Sequence, residues 1–267
     1  MLTNWTDNTP YYYERVDSTN VVLHQLAAKG APHGTLVVAD KQTAGRGRRG
    51  RSWESPQGCN IYFSLLLRPT VEPGKASMLT LVMACAVAKG ILLALEEAGA
   101  PLFGQFPKPA IKWPNDILLN RKKICGILTE MFLDVEAGNI NHVIVGVGIN
   151  VKEQEFPKEL ADKAGSIEQE SGIRLSRRRL TQRIVSLFQA YYEEFVKRGD
   201  LSGLMEEYNV LLVNRNSRVC VLDPKGEFQG VAQGINSMGE LLVELPDGSI
   251  TAVYAGEVSV RGIDGYV

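Results

Sequence analysis

The stretch from Met78 to Glu97 constrains the fold more than any other part of the chain. Residues 78–88 are the most apolar run; they are broken by Lys89 and are too short to span a bilayer. Continued to Glu97 and closed by Gly99 and Pro101, the stretch predicts one long, mostly buried helix. Such a helix needs other elements packed around most of its surface. A chain of 267 residues, 45% of them hydrophobic, can supply that core as one large domain or a large one with a smaller companion.

The flanking patterns suggest what packs there. Asp17-Ser18-Thr19-Asn20 offers N-cap side chains before an apolar spacing that predicts a helix to Gly30. Strands are predicted at 35–39, 60–68, 111–113, 116–119, 125–133 and 142–147, and further helices at 180–196 and 201–208. Past about Asn214 the texture changes to short β-type runs at 218–222, 226–233, 241–245, 250–253 and 256–260. Turns such as Asp223-Pro224 and Pro246-Asp247-Gly248 punctuate them, as in a small barrel or half-sandwich. These features divide the chain into domains 1–213 and 214–267.

Charge and cysteine usage exclude several classes. With 29 Lys+Arg against 30 Asp+Glu, the net charge of −1 gives no whole-molecule attraction to nucleic acid or an anionic membrane. Cys59, Cys85, Cys125 and Cys220 are far apart, and His24, His33 and His142 are the only histidines. That spacing favours free thiols in a reducing compartment over a disulfide framework or a zinc site. The N-terminus has no basic stretch followed by an apolar one, so no secretory signal is expected and the protein is expected to be cytoplasmic.

Against this balance, residues 41–51 hold five basic side chains and no acidic one until Glu54. Guanidinium groups make permanent, bidentate contacts to phosphate or carboxylate, and the interleaved glycines let backbone approach an anion. Gly45, Gly47 and Gly50 satisfy the dinucleotide fingerprint literally, but residues 52–58 are loop-forming where that motif needs a helix. Read alone, the run also suits a solvated loop or a nucleic-acid patch.

Two later segments add chemistry. Lys112, Asn115 and Asp116 fall at a strand-Pro-strand turn, where an Asn-Asp pair beside a lysine can hold hydrated magnesium and its phosphates. Lys123 opens an otherwise apolar strand, a costly place for an ammonium that meets no anion. Taken singly, Lys112 is better explained as a surface lysine and Lys123 as an edge-strand gatekeeper. In 143–150, Gly146 and Gly148 leave room on one face, either for close strand packing or as a floor under a ligand ring, with Asn150 at the strand end.

As an ordered set, Gly45-Arg46-Gly47-Arg48-Arg49-Gly50-Arg51 with Trp53, Lys112-Trp113-Pro114-Asn115-Asp116, the 123–130 strand and Gly146-Val147-Gly148-Ile149-Asn150 resemble the biotin protein ligases. The ending 256–261 looks like that family's C-terminal domain. The resemblance implies an α+β fold, with a class II synthetase-like mixed sheet flanked by helices and a small C-terminal SH3-like β-barrel. It implies activation of biotin with ATP to biotinyl-5′-AMP, then transfer to one lysine of a biotin carboxyl carrier protein domain. By the same correspondence, Ser18, Thr19, Asn20, Gln42, Arg46, Gly47, Tyr62, Ser64 and Gly126 are expected around biotin. Arg48 and Lys123 are expected to neutralise carboxylate and α-phosphate. Arg49, Arg51, Trp53, Lys112, Asn115, Asp116, Asn150 and Arg261 are expected near ATP, with Mg²⁺ by Asn115 and Asp116. The pattern begins at 13–20, which leads to the expectation of a ligase with no operator-binding role, no nucleic-acid or membrane partner, and a homodimer left open. A lipoate or octanoate enzyme of the same broad fold is the rival, with a nucleic-acid-binding module more remote.

Overall fold

The computed structural model describes residues 5, 9–101, 106–134, 136–223, 226–256 and 258–262; Pro224 and Glu257 of the motifs above lie outside these. Seven strands form the larger sheet: β1 (Tyr11–Tyr13), β2 (Leu36–Ala39), β3 (Ile61–Leu67), β4 (Ala110–Lys112), β5 (Asp116–Leu119), β6 (Lys122–Leu133) and β7 (Ile140–Ile149). Their order is β1-β2-β3-β7-β6-β5-β4, with β1 parallel to β2 and the other pairs antiparallel.

Helices cover both faces. α1 (Thr19–Ala28) lies on one, where Leu23 and Ala27 pack with Val37, Leu66 and Ile144. On the other, α2 (Met78–Glu97) is buried between the sheet and α4 (Arg177–Arg198), with α3 (Ile167–Ser171) and α5 (Met205–Leu211) completing the helical set. By length and composition α2 could cross a membrane, but most of it is enclosed by protein, as a core helix is. Lys89 does not interrupt it, because its ammonium reaches out to Glu207 of α5 at 3.7 Å.

The C-terminal strands β8 (Ser217–Asp223), β9 (Gly226–Ile235), β10 (Leu241–Glu244), β11 (Ile250–Val253) and β12 (Ser259–Gly262) form an antiparallel sheet of order β11-β10-β9-β8-β12. It is bonded to the larger unit by Trp113 Nε1 donating to Gly239 O (3.1 Å) and by Asn209 Oδ1 accepting from Ile235 N (2.7 Å). The chain therefore has the α+β arrangement expected. β1 and α3, both very short, carry no clear periodicity in the sequence; the helix expected from 201 begins at Met205, after a turn closed by Leu204 N to Leu201 O.

Candidate active site

The cleft forms where the sheet has no side chains. β6 and β7 pair Gly126 with Gly148 and Leu128 with Gly146, so the middle of the sheet presents bare backbone. The start of α1, the glycine loop and the turn after β4 rise around this floor and enclose roughly 490 Å³, part of it open to solvent.

One end is lined by neutral hydrogen-bonding groups. Gln42 Oε1 accepts from Thr19 N (2.9 Å) and Thr19 Oγ1 (3.2 Å), which fixes the loop against the first turn of α1. Buried behind them, Ser64 Oγ lies 2.7 Å from Thr19 Oγ1 and 2.5 Å from Asn20 Oδ1. Asn20 Nδ2 donates to Glu130 Oε2 at 2.6 Å, and Glu130 Oε1 lies 3.5 Å from Arg46 Nη1. The bare Gly146 is what admits the Asn20 amide, since a Cβ there would collide with Asn20 Oδ1. Trp53 lies over the other two glycines; a Cβ on Gly126 would sit 2.9 Å from its ring. Its indole N–H is buried without a hydrogen-bond partner, and the Lys123 ammonium is 5.4 Å from the ring centroid.

The other end is cationic. Lys123 Nζ pairs with Asp116 Oδ1 at 2.6 Å. Lys112 is only 5% exposed, and burial lowers its amine to about 8, helped by the positive charges of Lys123, Arg261 and Arg51 and opposed by Asp116. Arg48 is also depressed by burial; its Nη1 donates to Asn115 Oδ1 (2.8 Å) and its Nη2 to Gly256 O (2.5 Å). Beyond Arg48 lies a second hollow of about 710 Å³, part of it open to solvent, between the start of α2 and the C-terminal turn at 254–256. Several cations held close together around one carboxylate favour an anionic guest. Among the described residues no three His, Cys, Asp or Glu side chains gather as a metal-ligand set.

Of the residues singled out from sequence, Ser18, Thr19, Asn20, Gln42, Arg46, Gly47, Arg48, Trp53, Asn115, Lys123 and Gly126 border the cleft. Ser64 backs it, bonded to two of them. Tyr62 is fully buried, with its hydroxyl donating to Pro56 O. Asn150 donates to Gly165 O in a buried amide network that includes Asn60. Arg49 and Arg51 are exposed on the loop, Arg49 at φ 59°, and Arg261 is exposed on β12. Glu130 ends the 123–130 strand, and its one mark in the sequence is a carboxylate on an otherwise apolar strand.

The chain is similar to known proteins. Residues 12–150 match the family described as Biotin/lipoate A/B protein ligase family, and residues 216–261 match the Biotin protein ligase C terminal domain. The bifunctional ligase/repressor BirA of Bacillus subtilis is 42% identical over 253 residues, 93% of this chain and 73% of the relative. The chain belongs to the biotin protein ligase family. Within that family, the biotin--[acetyl-CoA-carboxylase] ligase of Mycobacterium tuberculosis is 31% identical over 90% of this chain and 85% of its own. The Aquifex aeolicus biotin protein ligase in complex with biotin and ATP has a TM-score of 0.76 and 28% identity, covering 96% of this chain and 99% of that one.

Proposed function

We propose that this member of the biotin protein ligase family joins biotin to a carrier-domain lysine in two steps at the one cleft. A biotin carboxylate oxygen attacks the α-phosphorus of ATP and pyrophosphate leaves, giving biotinyl-5′-AMP. The lysine amine then attacks the acyl carbon, AMP leaves, and the amine's proton is lost. The observation that carries this reading is the cleft's polarity, a glycine floor with neutral donors and acceptors at one end and a cation cluster at the other. Thr19, Asn20, Gln42 and Ser64, which bond one another and Glu130 in the ligand-free protein, suit a fused ureido ring, which both donates and accepts; a dithiolane ring would cover them without offering a hydrogen bond in return. That favours biotin over lipoate.

In the reaction, Arg48 and Lys123 stabilise the charge that builds between carboxylate and α-phosphate. Both are engaged within the protein, Lys123 with Asp116 and Arg48 with Asn115 and Gly256, so each exchanges a partner as the substrates enter. Lys112, Arg49, Arg51 and Arg261 supply positive charge for the remaining phosphates, and Tyr62 and Asn150 support the walls from behind. Magnesium enters as the substrate complex MgATP, with Asn115 and Asp116 as the nearest side-chain oxygens for it. Trp53 leaves the glycine floor for the ring and packs against the closed loop, which keeps water from the mixed anhydride. We assign the work to the cytoplasm, where the four free cysteines stay reduced. Biotin-dependent exchange of labelled pyrophosphate into ATP is the test; exchange driven by lipoate and not by biotin would overturn the reading.

A further inference from the structure

Glu130 holds two elements at once. From β6 its Oε2 accepts from Asn20 on α1 at 2.6 Å, while its Oε1 meets Arg46 of the glycine loop at 3.5 Å. The Asn20 amide is wedged into the space left by Gly146, and its carbonyl oxygen takes the Ser64 hydroxyl at 2.5 Å. An ionised carboxylate only accepts, and an amide has one accepting and one donating end. Glu130 and Ser64 together therefore dictate which end of Asn20 points where, and turning the amide over would break both bonds.

We infer that Glu130 is a positioning residue that couples recognition of the ligand ring by Asn20 to closure of the glycine loop through Arg46. This rests on the biotin ligase reaction proposed above. The ion pair by itself is weak, because the Arg46 side chain is 52% exposed and Glu130 29%. The charge-assisted bond to Asn20 is the stronger of the two. A ring bonded to Asn20 adds a further restraint to an amide that already holds the carboxylate at 2.6 Å, so Arg46 meets a more firmly fixed partner. By linkage, a closed loop then strengthens ring binding by the same factor.

Two variants separate the arms. Glu130→Gln keeps a carbonyl oxygen for Asn20 and removes the charge facing Arg46; Glu130→Ala removes both. In biotin-dependent exchange, Glu130→Gln is expected to raise the KM for biotin about fivefold, the scale of one exposed ion pair, with kcat within twofold. It should also leave the loop arginines open to trypsin at saturating biotin, where the unmodified chain is protected. Arg46→Ala should reproduce both effects, and combining the two changes should add less than twofold. Glu130→Ala should raise KM severalfold further. If Glu130→Gln fails to fold, Glu130→Asp takes its place, since its shorter carboxylate keeps the charge but cannot span both Asn20 and Arg46; Arg46→Ala does not decide alone, because Arg46 also borders the cleft. Unchanged KM and protection, or effects that multiply fully in the double variant, would overturn the coupling while leaving the reaction standing. Absence of biotin-dependent exchange in the unmodified chain would overturn both.

Discussion

Replacing Lys123 by Met removes the ammonium nearest the junction of carboxylate and phosphate while keeping the length of the side chain. In the ligand-free protein this breaks a 2.6 Å pair with Asp116, whose side chain is only 15% exposed. Leaving one partner of such a pair costs on the order of 1–3 kcal/mol of stability. The loss is softened here because Lys112 is held down partly by Lys123; without it the Lys112 amine rises from about 8 and serves Asp116 better. The catalytic loss is larger. Removing one preorganised group from a developing anion costs roughly 10²–10³ in rate, about 2.7–4 kcal/mol. Adenylate formation should therefore fall about 10²–10³-fold. Transfer from supplied biotinyl-5′-AMP, where the phosphate bond already exists, should fall less than about tenfold. Pyrophosphate exchange measures the first, and single-turnover transfer to a carrier domain the second. Equal losses in both, with a melting temperature lowered to match, would make Lys123 a structural residue and refute the reasoning.

Arg48→Ala removes the contacts to Asn115 and to the C-terminal turn, so biotinyl-5′-AMP should escape into solution; an adenylate still retained through gel filtration would contradict that role. Gly146→Ala places a methyl group against the clamped Asn20 amide and should weaken biotin binding by at least about fivefold by calorimetry, on the usual 1–3 kcal/mol scale of overpacking. Lys112 supplies a pH dependence. Its folded-state pKa, about 8, lies below its ordinary 10.5, so folding favours the neutral amine and the unliganded protein loses stability as pH falls from about 10.5 to about 8. A polyphosphate favours the ammonium, so ATP binding near pH 8 should take up a proton and weaken as pH rises to 9.5. Calorimetry in buffers of different ionisation enthalpy reads that proton, and uptake that persists in Lys112→Met would point to another group.

Legibility followed the strength of local pattern. The buried α2 was readable because its apolar run has no competing interpretation of that length, and β3 and β7 because they are buried along nearly all of their lengths. β1 was not, since three tyrosines, two of them exposed, show neither alternation nor a bounding turn; its strand pairing comes from β2, distant in sequence. At the cleft, residue types carried the signal. A cluster of arginines with glycines is conspicuous in a balanced chain, but the partner of each guanidinium is set by tertiary packing, and the pairings of Arg48 with Gly256 and Arg46 with Glu130 have no sequence mark. The position of Trp53 over Gly126 was equally hidden, because it depends on two strands meeting beneath a loop.

The most direct measurement is a crystal structure of the chain grown with biotin and MgATP. The account predicts biotinyl-5′-AMP in the cleft, its ring over Gly126 and Gly148 with Trp53 displaced and beside the Asn20 amide at Gly146, and its acyl phosphate between Arg48 and Lys123. A ring bound elsewhere while Trp53 keeps its place on the glycine floor, or an acyl phosphate away from both cations, would contradict it.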